Sequence, residues 1–226
     1  MRIGGLQKLT LLDYPQKVAC TVFLQGCNLR CPFCHNTPLL HGTQDIPEQE
    51  VLAFLKKRQG ILDGVVFSGG EPLLSAELED FIRSVKAIGY QIKLDTNGTF
   101  PDRLQNLLSQ GLLDYVAMDV KNAPGKYAQT VGRDGCLDAV RESVELLKNC
   151  AIPYEFRTTV VDELHEPEDF SAIGQWLQGS PQYFLQPFCD SGDILQPNLH
   201  ATSKEKLEHC LTIVRDYIPN TTIRGM

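Results

Sequence analysis

Three cysteines lie within eight residues of one another, with the spacing Cys27-x3-Cys31-x2-Cys34. A free thiol has a pKa near 8.5, so at neutral pH a metal centre must drive the deprotonation of three neighbouring thiols. Soft thiolates select zinc or an iron–sulfur cluster. Structural zinc sites and electron-transfer clusters usually take four protein ligands, whereas three ligands leave one iron open for a substrate.

The other histidine and cysteine residues offer no fourth ligand. His35 directly follows Cys34, and adjacent residues rarely reach the same metal. Cys136 and Cys150 flank a predicted helix and would lie roughly 21 Å apart. Cys20 and Cys210 fall on predicted buried faces, where a free cysteine behaves as a small hydrophobic residue.

Further polar motifs follow the predicted strands. Ser68 to Pro72 reads Ser-Gly-Gly-Glu-Pro, and its glycines allow a ligand or another backbone to come close. Asp95 to Gly98 and Asp119 to Lys121 follow the next two strands, and Arg157 lies within the strand after those. Simpler alternatives stay open: a tight turn at Gly-Gly, two carboxylates that only cap turns and pair with a lysine, and a solvent-facing arginine.

The elements that must position these motifs alternate between apolar strands and amphipathic helices, which predicts parallel βαβ units. The predicted strands are 18–24, 65–67, 91–94, 115–118, 154–161 and 183–185. A complete eight-unit barrel needs about 250 residues. We therefore expect an incomplete (β/α)6 barrel of the α/β class, with parallel strands and one open side. A doubly wound open sheet is the competing fold, and in both folds ligands gather at the carboxyl ends of the strands.

Helical periodicity is strongest in two segments. Leu78, Phe81, Ile82, Val85 and Ile88 follow the i, i+3, i+4 pattern, and Gly89 should end that helix. A second pattern comprises Leu207, Cys210, Leu211, Val214 and Ile218, with Ser203 as its N-cap. Weaker patterns predict helices at 47–58, 102–110, 137–149 and 168–177.

The cysteine motif, with the aromatic Phe33 before its last cysteine, resembles the signature of the radical S-adenosylmethionine (SAM) enzymes. Phe23 to Cys27, leading into Cys34 to Asn36, resembles the enzymes that activate glycyl-radical enzymes. Gly5 to Lys8 and Leu12 to Pro15 resemble the activating proteins of anaerobic ribonucleoside-triphosphate reductase. The resemblance implies one radical SAM domain over residues 1–226, with an N-terminal arm at 1–16 and a cluster-binding loop at 25–45.

The resemblance also implies roles for the other motifs. Gly69, Gly70 and Glu71 would hold the methionine amino group of SAM. The remaining positions that would line the SAM site are Phe33, Asp95, Asn97, Asp119, Lys121, Arg157 and Cys189. Asp95, Thr96 and Asp119 would in addition hold a monovalent cation, as in some activating enzymes. Cys189 departs from the pyruvate formate-lyase activator pattern, which has a histidine there, and Gln186 is a substitute for that contact.

Taken together, the resemblance predicts an oxidoreductase with a 4Fe–4S cluster and SAM as cofactors. Three thiolates would hold the cluster, and one-electron reduction would cleave SAM to a 5′-deoxyadenosyl radical. That radical would take a hydrogen atom from a glycine of a partner, an anaerobic ribonucleotide reductase. A low-potential donor such as flavodoxin would supply the electron.

Composition limits the alternatives. The net charge of −7 disfavours a nucleic-acid partner. No stretch is long and apolar enough for a membrane span, and the N-terminus lacks the apolar run of a signal peptide, so we expect a cytoplasmic protein. Two rival functions remain open. One is a radical SAM enzyme with a small-molecule substrate, such as a deazapurine synthase. The other is a zinc or iron–sulfur module without catalysis.

Overall fold

The strands form one open sheet. The computed structural model describes residues 1–42, 45–190 and 192–225, so Thr43 and Gln44 of the expected cluster-binding loop lie outside the described residues. Within that part of the chain, eight strands follow one another across the sheet in chain order. They are β1 (Ile3–Thr10), β2 (Ala19–Leu24), β3 (Gly64–Gly69), β4 (Gln91–Thr96), β5 (Tyr115–Asp119), β6 (Tyr154–Val160), β7 (Tyr183–Pro187) and β8 (Thr221–Ile223).

Helices connect the parallel strands. They are α1 (Thr37–Leu40), α2 (Glu48–Lys57), α3 (Leu78–Ile88), α4 (Pro101–Ser109), α5 (Tyr127–Val131), α6 (Leu137–Lys148), α7 (Pro167–Leu177) and α8 (Lys204–Arg215). Each of the six helices expected from the sequence is present, with ends within two residues of the prediction or, for α8, at the predicted cap. None of the described helices is long and apolar enough to cross a membrane.

The sheet is an incomplete parallel barrel, as the sequence predicted. β3 through β8 each pair in parallel with the strand before them. β1 instead pairs antiparallel with β2. Among the described residues no pairing joins β1 to β8, so the barrel is open on that side.

Two strands were missing from the sequence prediction. β1 occupies half of the expected N-terminal arm, and β8 lies close to the C-terminus. β1 contains Gly4 and Gly5 and exposes the side chains of Gln7, Lys8 and Leu9, so it lacks the continuous apolar run of a buried strand. β8 is only three residues long, and its position depends on pairing with β7 rather than on a pattern of its own.

Helix caps and buried faces agree with the sequence patterns. Gly89 ends α3 in the left-handed region at φ 106°, a conformation that glycine adopts without steric cost. The Ser203 hydroxyl accepts a hydrogen bond from the Lys206 N–H and caps α8. That helix ends at Arg215, so Ile218 lies beyond it, although its side chain is buried as expected.

Four of the five cysteines outside the motif lie where the sequence placed them. Cys20 and Cys210 are completely buried in the core. Cys136 lies at the N-terminal end of α6 and Cys150 just after its C-terminal end. None of the eight cysteines forms a disulfide.

Candidate active site

The functional motifs meet at the carboxyl ends of the strands, around one cavity of about 270 Å³. The cavity is bounded by the loop after β2 and by the ends of β3 through β7. The sequence-predicted site residues that line it are Cys27, Cys31, Phe33, Cys34, Gly69, Gly70, Asp95, Thr96, Asn97, Asp119, Lys121 and Arg157. Glu71 and Cys189 are not among its lining residues.

Cys27 is the best-defined of the three thiols. The Leu29 N–H donates to its Sγ at 3.4 Å, and the Asn97 amide lies 3.8 Å from the same sulfur. Burial raises the pKa of Cys27, and it raises the pKa of Cys31 to about 12. Both groups are therefore neutral thiols at pH 7 until a metal centre drives their deprotonation.

Two exposed arginines donate hydrogen bonds to backbone carbonyls of the loop that carries the cysteines. The Arg30 guanidinium donates to the carbonyl oxygens of Cys27 and Leu29, each at 2.7 Å. Arg133 donates to the Asn28 carbonyl at 2.9 Å. Gly132, at φ 63°, packs so closely that a Cβ there would lie 2.8 Å from the Arg30 carbonyl oxygen. The contacts of Arg133 and Gly132 hold the loop against the segment after α5.

The Gly-Gly turn after β3 packs directly against the cysteine loop. The Gly70 N–H donates to the Leu24 carbonyl, and the Glu71 N–H donates to the Gly26 carbonyl, both at 2.9 Å. A Cβ on Gly70 would lie 1.9 Å from the Gly26 carbonyl oxygen. In this structure, the close approach that requires Gly70 is made by the backbone of the cysteine loop.

Glu71 supports the site from outside the cavity. Its buried carboxylate accepts hydrogen bonds from the Leu73 N–H at 3.0 Å, the Thr96 hydroxyl at 2.9 Å and the Asn97 N–H at 2.7 Å. Burial raises the pKa of Glu71 to about 7, even though these hydrogen bonds favour the charged form. In this structure the Glu71 carboxylate orients the turn after β4, and its contact with SAM stays a prediction.

Acidic and basic side chains pair with one another along another part of the cavity, which we call the charged wall. Arg157 donates to Asp119 at 2.8 Å and lies 3.5 Å from Asp95. Lys121 pairs with Asp119 at 3.0 Å, and Lys93 pairs with Asp95. The Arg157 side chain is only 13% exposed, so the alternative of a solvent-facing arginine is wrong.

These pairs fix the charge states of the wall. Burial alone would raise the pKa of Asp119, but Arg157 and Lys121 hold it well below its usual range. Burial is likewise outweighed at Asp95, whose pKa Arg157 and Lys93 lower. Burial opposes the charge of Lys121, yet Asp119 raises its pKa. The wall therefore carries fully ionised groups at neutral pH.

The expected monovalent-cation site finds no support in this arrangement. Both carboxylates already face cationic side chains, and the Thr96 hydroxyl donates to Glu71. The donor chemistry of the cavity is instead that of three thiols beside ionised polar groups.

Cys189 lies outside the cavity, on an exposed position after β7. Its neighbour Phe188 is buried and stacks on His35 at a centroid distance of 5.4 Å. Gln186, which the sequence offered as a substitute, does line the cavity. The placement of Cys189 as a SAM contact is therefore not supported.

Several lining residues were given no role in the site by the sequence analysis, among them His35, Asn36, Ser68 and Thr159. The Asn36 amide donates to the Gly69 carbonyl at 2.7 Å and ties the cysteine loop to the Gly-Gly turn. Thr159 could have been found from strand alternation, because it lies two residues after Arg157 and so faces the same side of β6.

Comparison with known proteins agrees with this geometry. The family model of the radical SAM superfamily matches residues 21–176. A Methanocaldococcus jannaschii protein, provisionally named a glycyl-radical enzyme activating enzyme, is 32% identical over 233 residues, covering 98% of this chain and 95% of that protein. The pyruvate formate-lyase-activating enzyme of Clostridium pasteurianum is 34% identical over 128 residues, 54% of this chain and 52% of that enzyme.

Solved structures share the fold. The crystal structure of Streptococcus suis SuiB bound to S-adenosylmethionine matches 91% of this chain with a TM-score of 0.67 and 13% identity. The present chain spans 52% of the length of that structure. At this identity the likeness concerns the architecture of the incomplete barrel alone.

Proposed function

This chain belongs to the radical SAM superfamily and to its glycyl-radical-enzyme activating enzymes, and we propose that its partner is an anaerobic ribonucleoside-triphosphate reductase. The class of reaction is supported by similarity along nearly the whole chain to an activating-enzyme relative. Two N-terminal segments support the partner, because residues 5–8 and 12–15 resemble the activating proteins of that reductase. The observation on which the proposal depends is that Cys27, Cys31 and Cys34 line one cavity.

The residues fit the cofactors of the superfamily, a 4Fe–4S cluster and SAM. Cys27, Cys31 and Cys34 would bind the cluster, because three soft thiolates leave one iron for another ligand. When bound, the reduced cluster would supply the electron for cleavage of SAM, the chemistry needed to remove a hydrogen atom from the partner's glycine. Lys121 would face the carboxylate of SAM as a compact positive charge.

The charged wall would orient SAM. Asp95 and Asp119 stay ionised beside Arg157, so they present negative charge to a cationic sulfonium ligand. These groups are held in place by ion pairs before any ligand arrives, so little reorganisation is needed on binding. Phe33, which is buried at the cavity edge, would help to exclude water.

The reaction also needs a source of electrons and a reducing environment. We propose a low-potential donor such as flavodoxin, because SAM cleavage requires the low end of the cluster potential range. We propose the cytoplasm as the compartment, since none of the eight cysteines forms a disulfide.

Anaerobic reconstitution tests the proposal. The reconstituted protein should bind about four irons and four sulfides per chain, release 5′-deoxyadenosine from SAM, and give a glycyl-radical doublet in the EPR spectrum when a reductase is added. A reductase with its target glycine replaced by alanine is the matched control. SAM cleavage without a doublet on the reductase would refute the partner. One zinc per chain without SAM cleavage would refute the enzyme.

A further inference from the structure

Every second residue of β6 faces the barrel interior, namely Glu155, Arg157 and Thr159. Glu155, at the deep end, accepts hydrogen bonds from the Tyr115 hydroxyl and from Arg224. Arg157, in the middle, pairs with the carboxylates described above. Thr159, at the carboxyl end, lines the cavity but makes no side-chain hydrogen bond to the described part of the protein.

Gln186 stands beside Thr159. The two residues are register partners on the parallel strands β6 and β7, so their side chains project to the same side of the sheet. Gln186 also lines the cavity and is partly exposed, and its side-chain amide has no hydrogen-bonding partner in the described part of the protein. The two residues form a neutral wall of the cavity, with free donors and acceptors.

The neutral wall differs in chemistry from the charged wall formed by Asp95, Asp119, Arg157 and Lys121. The charged wall suits a zwitterionic, sulfonium-bearing ligand. A glutamine amide offers both an N–H donor and a carbonyl acceptor, and a threonine hydroxyl offers one donor and two acceptor positions. That combination matches the N–H and C=O groups of a peptide backbone, which carries no net charge.

The neutral wall also lies toward the open side of the barrel. Leu185 is the last residue of β7 that pairs with β8. Gln186 therefore lies on a part of β7 that has no partner in β8. A segment that enters between β8 and β1 reaches β7 before it reaches the charged wall. A glycine in that segment can approach closely because it has no side chain.

We propose that Gln186 and Thr159 hydrogen-bond the peptide backbone around the target glycine of the partner enzyme. This inference rests on the proposed function and adds to it the part of the cavity that recognises the polypeptide substrate. It assigns SAM to the charged wall and the glycine segment to the neutral wall. A substrate peptide is thereby selected by its backbone at this position rather than by a charged side chain.

The test uses the reconstituted holoenzyme and the variants Gln186→Leu and Thr159→Val, which remove hydrogen bonding with little change in size. Gln182→Leu is the matched control, because Gln182 lies just before β7 and does not line the cavity. The probes are fluorescein-labelled peptides with the glycine segments of an anaerobic ribonucleotide reductase and of a pyruvate formate-lyase. Fluorescence anisotropy gives the peptide Kd, and equilibrium dialysis gives the SAM Kd.

Each cavity variant should raise the Kd of the bound peptide about fivefold to tenfold, the effect of one neutral hydrogen bond. The SAM Kd should change by a smaller factor than the peptide Kd, because neither variant removes a side chain of the charged wall. A weakened SAM affinity with unchanged peptide affinity would overturn the inference and make Gln186 a nucleotide contact. Unchanged affinities for both ligands would also overturn it.

The outcome separates this inference from the choice of partner. If the wild-type protein binds only the pyruvate formate-lyase segment, the reductase proposal fails, and the variants are then judged on that segment. If the wild-type protein binds neither segment, both proposals fail. A peptide affinity that falls equally in Gln182→Leu would show a general effect on β7 and would count against the neutral wall.

Discussion

Replacing Gly70 by alanine should disrupt the site through one contact between backbones. The new Cβ would lie 1.9 Å from the Gly26 carbonyl oxygen and 2.6 Å from its carbon, whereas ordinary contacts begin at 3.4 Å. The backbone of Gly70 does not have a positive φ, so alanine can adopt its conformation. The clash must therefore be relieved by moving the turn away from the cysteine loop by more than 1 Å.

The expected cost follows from what that movement breaks. The turn and the loop share two backbone hydrogen bonds of 2.9 Å, from Gly70 to Leu24 and from Glu71 to Gly26. Losing both costs about 2 kcal/mol, and overpacking adds about 1–3 kcal/mol. A total of about 3–5 kcal/mol corresponds to a fall in Tm of about 6–20 °C for a chain of this size.

Thermal unfolding of the metal-free protein, followed by circular dichroism, measures this cost, and iron analysis after reconstitution measures the effect on the cluster. Gly125→Ala is the control, because a Cβ at Gly125 meets nothing within 4 Å. Gly70→Ala should melt well below both the wild type and the control and should bind less than half of the wild-type iron. A Tm within 2 °C of the control, with full iron loading, would refute the reasoning.

Three further predictions concern charge and metal. Arg157→Met should lower the free energy of unfolding by about 3–5 kcal/mol in urea titrations at pH 7. The depressed carboxylate pKa values make this difference shrink as the pH falls below about 4; a constant difference down to pH 2 would contradict it. Because the pKa of Glu71 is raised to about 7, its protonated form stabilises the fold at low pH, and that contribution is lost as the pH rises from 4.5 through 7. Glu71→Gln should remove this pH dependence, so the difference in free energy of unfolding between wild type and variant should change between pH 4.5 and 7. A difference that stays constant over this range would contradict the prediction. Cys34→Ala should abolish iron binding and SAM cleavage together, while Cys136→Ala should keep both, and equal losses in the two variants would show that the cavity is not the cluster site.

Much of the site could be predicted because its chemistry is local in the sequence. The cysteine spacing lies in one loop, and Asp95, Asp119 and Arg157 each follow or belong to an apolar strand that periodicity reveals. Once those strands are parallel, their carboxyl ends must meet at one edge. The convergence of these residues on one cavity therefore needs no information beyond the pattern.

The parts that could not be predicted depend on contacts between distant segments. Whether Glu71 faces the cavity is decided by its hydrogen bonds to Thr96 and Asn97, which lie more than 20 residues away. The edge strands β1 and β8 depend on pairing with their neighbours, since neither has a long apolar run. The resemblance suggested a site position for Cys189, but in the structure this residue is exposed after β7.

The alternating charges of Lys93, Asp95, Arg157, Asp119 and Lys121 also have a chemical consequence for any radical formed beside them. The ends of these side chains that face the cavity carry either N–H bonds, which are strong, or carboxylate oxygens, which hold no hydrogen at neutral pH. A reactive carbon centre finds few easily broken C–H bonds on such a surface. The ion pairs that would hold a charged ligand therefore also limit the loss of hydrogen atoms from this wall of the cavity.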